Sequence, residues 1–480
     1  MTLFKNLIGG QWVTPTAEAT FESRNPANPD DLLGVFPMAT LEETRQAIAA
    51  AQAALPAWAA TPAPERGAIL DKVSQIIAAR LDDMATMLTR EEGKTRAEAT
   101  AEMIRTRDIF RYYSGEGWRP MGQVLPGSIP GEHLYTQREP LGVVSIITPW
   151  NFPAAIPAWK IAPALAFGNT VVFKPATDTP RTGLLLVEAM LEAGLPPGVI
   201  NFVTGSGRVV GGEMSSNPGV NGISFTGSYQ VGSNIYSQAV KNMTRVQLEM
   251  GGKNPLVVLN DANLELAVSL AVKGGFGVTG QACTASSRVI VEEGIADDFA
   301  PALAEAARGL VVGNGLEENT QMGPAASQPQ LETDLYYTKL GRDEGAKLLA
   351  GGDMAKDGGY FVQPTVFDGV ETSMRIAQEE IFGPVISIIR AKNLDDAIEK
   401  ANDIGFGLSA GIATNDMQKA FAFANRIEAG VVKINEPTSG IVVHAPFGGF
   451  KHSSANTFKE QGYAAVEFFT RTKTVYVGHG

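Results

Sequence analysis

Cysteine occurs once in 480 residues, at Cys283, and histidine four times, at positions 133, 444, 452 and 479. A lone thiol excludes disulfides and multi-thiolate metal centres. No two histidines stand four residues apart, so the ligand spacing of a helical zinc site is missing and no metal is expected. Positive charge is also short, with 39 Lys and Arg against 51 Asp and Glu and a net charge of −12. No cationic excess is left to neutralise phosphates, which argues against a nucleic-acid partner. No run approaches the ~20 apolar residues of a membrane span, and the start, Met1-Thr-Leu-Phe-Lys-Asn-Leu, lacks the apolar centre of a secretory signal. One cysteine without an export signal points to the cytoplasm. With 44% apolar residues the chain reads as globular, and its length predicts two or three domains.

What is present is rhythm. Residues 40–119 read as helices: Thr40-Leu-Glu-Glu43 has the form of a capping box, and alanine-rich segments of 3.6 period follow at 47–58, 68–91 and 100–113. Short apolar runs then alternate with helical segments. Strands are expected at 143–148, 170–173, 199–203, 222–225 and 246–250, with helices at 155–167, 182–193, 209–215 and 231–240 between them. This alternation predicts an α/β fold with a parallel sheet covered on both faces. A second series begins near Lys253, with strands at 255–259, 288–292, 385–389, 411–413 and 431–434 and helices at 262–275, 295–308 and 416–427. Two further β-rich segments, 120–141 and 466–477, are expected to pair with each other and to meet another subunit along their edge. No repeat and no low-complexity linker occurs.

Cys283 lies in Phe276-Gly-Val-Thr-Gly-Gln-Ala-Cys-Thr284, where small and polar neighbours leave a thiol accessible. Alone, such a cysteine reads more readily as an inert core filler. Its company changes the reading. In order along the chain come Pro149-Trp-Asn-Phe-Pro153, Lys174-Pro-Ala-Thr177, Phe225-Thr-Gly-Ser228 with Gly232, Leu248-Glu-Met-Gly-Gly-Lys253, Gly280-Gln-Ala-Cys283, Glu379-Glu-Ile-Phe-Gly-Pro384 and Pro446-Phe-Gly-Gly449. These motifs resemble those of the aldehyde dehydrogenase superfamily over the whole chain. Tyr112-Tyr-Ser-Gly-Glu-Gly117 and Ala445-Pro-Phe-Gly-Gly-Phe-Lys451 are similar to bacterial enzymes of the α-ketoglutarate-semialdehyde dehydrogenase kind.

The resemblance implies a Rossmann-type cofactor domain (1–119 with 142–250), an α/β catalytic domain (251–445) and bridging segments (120–141 and 446–480) that build a homodimer or homotetramer. It implies that Cys283 adds to an aldehyde, that the Asn151 amide and the Cys283 N–H hold the oxyanion, and that Glu249 activates the water that frees the acid. Read by themselves, Asn151 also suits a helix cap near Ala154 and Glu249 a solvated strand end. A free thiol is only a few per cent ionised near neutrality, so the site is expected to assist Cys283.

For the cofactor, NAD(P), the resemblance implies Trp150, Lys174 (also counted with the catalytic set), Thr177, Gly207, Gly211, Gly227, Ser228, Gly232, Glu380 and Phe382. Gly205-Ser-Gly-Arg-Val-Val-Gly211 is spaced G-x-G-x-x-x-G, one residue longer than the common dinucleotide fingerprint. Many NAD-specific relatives carry glutamate where this chain has Thr177. A neutral hydroxyl does not repel a 2′-phosphate, so NADP is expected to be accepted with help from Lys174 and Arg208.

The expected substrate wall combines Phe152, Trp159, Thr284, His444 and Phe447, with Trp150 and Ala282. Succinate-semialdehyde relatives often carry arginines where this chain has Trp159 and Gly277. Their absence leaves the pocket without a cation for a substrate carboxylate, unless Arg107 or Arg111 supplies one, and leaves aliphatic and aromatic aldehydes open. Retained Glu249 separates the reading from a coenzyme A-acylating relative. Retained Cys283 and Glu249 separate it from a non-catalytic scaffold.

Overall fold

The computed structural model describes residues 2–14, 19–119, 121–454 and 457–478. Pro120 and Gly480, ends of the two expected bridging segments, lie outside these residues. Five parallel strands form the centre of the first sheet, in the order Arg245–Met250, Gly222–Gly227, Val143–Ile147, Thr170–Lys174, Ile200–Phe202. Alternate residues feed two cores: Val144, Ile146, Val171 and Phe173 face one, and Val143, Ile147, Val172, Ile223 and Leu248 face the other. Strands covered on both sides become near-continuous apolar runs, which is why the sequence shows them plainly. Ser145 is tolerated among them because its hydroxyl donates to the Met214 carbonyl at 3.0 Å. Two short strands, Asn6–Ile8 and Gln11–Val13, extend the sheet antiparallel beyond Ile200–Phe202.

The second sheet runs Lys347–Ala350, Thr365–Asp368, Val385–Ala391, Ser286–Glu292, Asn254–Val258, Ser409–Ala413, Val431–Ile434, parallel except at Lys347–Ala350. It again separates two cores, with Leu256, Val289 and Ile388 on one side and Val257, Ile290 and Ile389 on the other. The helix Leu41–Ala60 starts at the expected capping box, where the Thr40 side chain accepts from Glu43 N and Glu43 answers to Thr40 N.

Several expectations are corrected. The single helix expected over 68–91 is two, Ala63–Ala79 and Leu81–Glu92, broken at Arg80 where φ is −110°. No Gly or Pro marks that break. The tail expected as strand from 466 is first a helix, Ala464–Phe469, whose Ala465, Phe468 and Phe469 enter the first core. Strand Thr470–Val477 follows and pairs antiparallel with His133–Pro140, from Thr470↔Pro140 to Val477↔His133. Val124–Pro126 completes this three-stranded ribbon. Before the ribbon, the tail lies along the first sheet: Met250 N donates to Ser453 O at 2.8 Å and Leu248 N to Thr457 Oγ1 at 2.9 Å.

Candidate active site

The two sheets present opposite edges to one another. At the carboxyl ends of the first sheet's strands stand Asn151, Lys174, Gly207, Ser228 and Glu249. Open α/β sheets gather ligands at this edge. At the amino ends of the second sheet's strands stand Gly251–Lys253, Cys283 and Glu380–Phe382. Gly251 and Gly252 carry the chain directly from one sheet to the other, and packing explains both glycines. A Cβ at Gly251 would collide with the Glu380 carboxylate, and one at Gly252 would sit 2.7 Å from the Cys283 carbonyl oxygen.

The segment before Cys283 is bent through three consecutive left-handed residues, Val278 (φ 51°), Thr279 (φ 57°) and Gly280 (φ 69°). For β-branched side chains this conformation costs on the order of 1–3 kcal/mol each, so surrounding contacts must hold it. Val278 N donates to Glu98 Oε1 at 2.7 Å, the Thr279 hydroxyl to Gly323 O at 3.1 Å, and Ala326 N to Gln281 Oε1 at 2.8 Å. Asn254 Nδ2 clamps the carbonyls of Cys283 and Ala285 at 2.8 and 2.9 Å, and Thr438 Oγ1 binds Thr284 O at 2.7 Å. No sequence motif pointed to Asn254 or Thr438 individually.

Asn151 is 2% exposed. Its Nδ2 donates to Gln281 O at 2.9 Å, two residues before the thiol. The helix Ala155–Ala166 is capped instead by Glu102, whose Oε1 accepts from Ala154 N at 2.9 Å and Ala155 N at 3.1 Å. The helix-cap alternative for Asn151 therefore fails. Glu102 Oε2 accepts from the buried Lys94 ammonium at 2.6 Å, and the same ammonium donates to Asn151 O at 2.7 Å. Lys94 and Glu102, which the sequence reading passed over, thus position Asn151. Nothing local marks them, because Asn151 and the helix start at Ala154, which they hold, lie 57 and 52 residues away along the chain.

Electrostatically the centre is crowded with carboxyls. Burial first, then Glu380, Glu249 and Glu460, push the Cys283 thiol up to about 12. These surroundings favour the neutral thiol, so the assistance expected for Cys283 is proton removal by a base rather than a lowered pKa. Burial also holds the Glu249 carboxyl well above its ordinary range, with Glu460 adding to the effect. Neither Glu249 oxygen has a well-formed hydrogen bond among the described residues, and Gly448 approaches so closely that a Cβ there would lie 2.5 Å from Glu249 Oε1. Beyond Glu249, Glu460 pairs with Lys160, whose Nζ also donates to Ser224 Oγ at 3.0 Å. Among the described residues no group of three or more His, Cys, Asp or Glu is arranged to hold a metal.

The residues expected at the cofactor divide into groups. Trp150 meets Phe382 edge-on, with ring centroids 5.4 Å apart. Glu380 accepts from Gly252 N at 2.9 Å, and burial lifts its carboxyl to about 7. Among the described residues Lys174 donates only to its neighbour's carbonyl, Pro175 O, and burial lowers its ammonium to about 8 against the pull of Asp178. Thr177 is half-buried just beyond it, and Arg208 is exposed. Gly207 and Gly211 border open space, whereas Gly227 is closed by the Phe225 ring and Gly232 by Met250. Ser228 caps the helix Tyr229–Ala239 at the carboxyl end of Gly222–Gly227. Cation, carboxylate, open glycine faces and helix starts at one sheet edge together fit a dinucleotide.

Beside Cys283 lies a cavity of about 320 Å³. Five of the expected wall residues, Phe152, Trp159, Ala282, Thr284 and Phe447, line it, with the Trp159 and Phe447 rings 6.3 Å apart; Trp150 instead packs against Phe382. Nor does His444 line the cavity. It is exposed, and Ile441 takes the wall position instead. The expectation of a cavity without cations is also corrected, because Arg105 and Lys273 line it. Arg107 does not, being paired with Asp108 at 2.7 Å, and neither does Arg111.

This edge-to-edge arrangement of two parallel sheets around one cysteine defines a dehydrogenase scaffold. The aldehyde dehydrogenase family model matches residues 12–475, and the chain belongs to that family. It is 47% identical over 476 residues to the α-ketoglutarate semialdehyde dehydrogenase of Haloferax volcanii, covering 98% of each chain. Among solved structures it superposes with a TM-score of 0.96 on betaine aldehyde dehydrogenase from Staphylococcus aureus in complex with NAD+, at 35% identity, covering 99% of this chain and 95% of that one. A TM-score of 0.96 at 37% identity is also found with an NADP-dependent enzyme of Escherichia coli, covering 100% and 98%.

Proposed function

We propose that this protein oxidises a short semialdehyde to the carboxylic acid, with NAD(P)+ bound by the first unit and Cys283 supplied by the second. The observation that carries the reading is the hydrogen bond from Asn151 to the loop that carries Cys283 into the cavity, with the Glu249 carboxyl acting electrostatically on the thiol. In its ionised form Glu249 takes the Cys283 proton and passes it to solvent, and sulfur bonds to the aldehyde carbon. Asn151 retains one amide N–H beyond its bond to Gln281, and the Cys283 N–H lies beside the sulfur. These donors stabilise the oxyanion, an effect worth roughly 3–4 kcal/mol per donor. When bound, the dinucleotide supplies the hydride acceptor. Glu249 then takes a proton from the water that attacks the thioester carbon. The C–S bond breaks, the acid leaves and the thiol is restored.

The substrate class rests on the semialdehyde relative and on the size of the cavity. Acceptance of NADP rests on Thr177 and on Lys174 and Arg208 nearby in sequence, and it agrees with the NADP-dependent E. coli neighbour. A cytoplasmic setting rests on the single thiol. Among the described residues no helix is long and apolar enough to cross a membrane.

Glu249→Gln provides the test. With a semialdehyde and NADP+, the variant is expected to release one burst of NADPH per site and then stall, leaving the acyl mass on Cys283 in intact-protein mass spectrometry. Full steady turnover, or a burst without acylated Cys283, would falsify the mechanism.

A further inference from the structure

Oxidation of the aldehyde carbon makes no use of Arg105, yet its side chain faces the same cavity as Cys283. Arg105 is on the helix Arg96–Ser114, three residues after Glu102. Glu102 is not its partner by hydrogen bonding: one oxygen is taken by Ala154 and Ala155 N–H, the other by Lys94. Glu98, the other carboxylate on this wall, is engaged by Val278 N and by Thr95. Neighbouring arginines are paired, Arg96 with Asp82 and Arg107 with Asp108. Among the described residues the Arg105 guanidinium has no hydrogen bond and no ion pair, although it is half-buried and burial lowers its pKa.

A guanidinium carries five N–H donors in a planar fork. Withdrawing such a group from water without acceptors is costly, and a carboxylate restores the balance with two parallel charge-assisted hydrogen bonds. Elsewhere the wall is largely apolar, with Phe152, Ile156, Trp159 and Phe447, so it offers an alkyl chain packing but a carboxylate nothing else of opposite charge except Lys273. Lys273 is exposed, so water already solvates its ammonium, whereas Arg105 is half-buried.

We propose that Arg105 is a specificity-determining residue that binds the carboxylate at the substrate's far end, so that the aldehyde carbon is held at Cys283. The inference rests on the semialdehyde reading above and deepens it. The preferred substrates are semialdehydes of short dicarboxylic acids, and the cation comes from the helical region rather than from the positions of Trp159 and Gly277, where succinate-semialdehyde relatives often carry arginine.

The test compares succinate semialdehyde with butanal, the same chain ending in methyl instead of carboxylate, in the wild type, Arg105→Met and Arg105→Lys. The ratio of kcat/KM for the two aldehydes is expected to fall roughly 10- to 100-fold in Arg105→Met. The loss should lie mainly in KM for the semialdehyde, and Arg105→Lys should recover part of it. An unchanged ratio in Arg105→Met, whether both rates drop together or neither does, overturns the anchor while leaving the proposed reaction standing. Should Arg105→Met fail to fold, inhibition by succinate decides: weaker inhibition of Arg105→Lys than of the wild type supports the anchor, and equal inhibition overturns it. A wild type that oxidises butanal but not the semialdehyde overturns both the substrate class and the anchor.

Discussion

At the scale of single residues, the thiol of Cys283 shows how far a side chain's chemistry depends on what surrounds it. Its identity and its small neighbours were legible in the sequence. Its high pKa was not, because it comes first from burial and then from Glu380, Glu249 and Glu460, which stand on three different segments. Asn151 and Glu249 were likewise recognisable from their motifs, whereas Arg105 carries no motif and became visible only as a half-buried cation lining the cavity, without a hydrogen bond or ion pair among the described residues. Thr177 gives a prediction at this scale. Its hydroxyl places no negative charge beside Lys174, so Thr177→Glu is expected to shift cofactor preference toward NAD. Repulsion of a 2′-phosphate by the new carboxylate should lower kcat/KM for NADP by roughly 10- to 100-fold relative to NAD. Steady-state kinetics with both cofactors measures this, and an unchanged NADP-to-NAD ratio rejects the phosphate-pocket reading.

Among the secondary-structure elements, the strands announced themselves and some helices did not. Helix Gln328–Asp343 was not read from sequence, yet it supports the Glu380–Phe382 turn. Gln330 Nε2 bridges Asp334 Oδ1 at 2.8 Å and Ile381 O at 3.1 Å, and Gly383 packs so tightly on Asp334 that a Cβ has no room. Buried with a single hydrogen bond, the Asp334 carboxyl is raised from an ordinary 3.8 to about 8. In the folded protein it keeps its proton over a range in which the unfolded chain has lost it. Its contribution to stability is thus full below about 3.8 and is lost as pH rises toward 8, at about 1.4 kcal/mol per pH unit. Asp334→Asn abolishes this titration. Relative to wild type, the variant is expected to be more favourable at pH 8 than at pH 5, measured as the difference in Tm. A difference independent of pH would show that Asp334 is already ionised in the fold.

For the whole molecule, the ribbon of Val124–Pro126, His133–Pro140 and Thr470–Val477 poses a problem of exposure. Val124 is 87% exposed, Tyr476 66% and Val477 43%. Three strands with apolar side chains left in water are marginal by themselves, and open edges of this kind are usually covered. We expect a homodimer or homotetramer in which the ribbon packs on another copy. Light scattering should return a multiple of the chain mass, and charged substitutions at Val124 and Tyr476 should lower it. A monomeric mass for the wild type rejects the expectation. The pairing of these segments was legible from their β-rich composition, but the helix Ala464–Phe469 was not. Its Phe-Phe pair reads as strand until the first core claims it.

The sequence alone determined what neighbours a few residues apart encode: strand and helix periodicity, the capping box at Thr40, and the ordered motifs that contain Asn151, Glu249 and Cys283. Only the tertiary structure decided which charges meet. Lys94 reaches Glu102 and the Asn151 carbonyl, Asn254 clamps the Cys283 loop, and Arg105 lines the cavity it shares with the thiol without a hydrogen bond or ion pair among the described residues. Local pattern follows from backbone geometry and burial, which repeat every two or 3.6 residues. Charge balance in a buried site depends on distances between segments remote in the chain, and these exist only once the two sheets stand edge to edge.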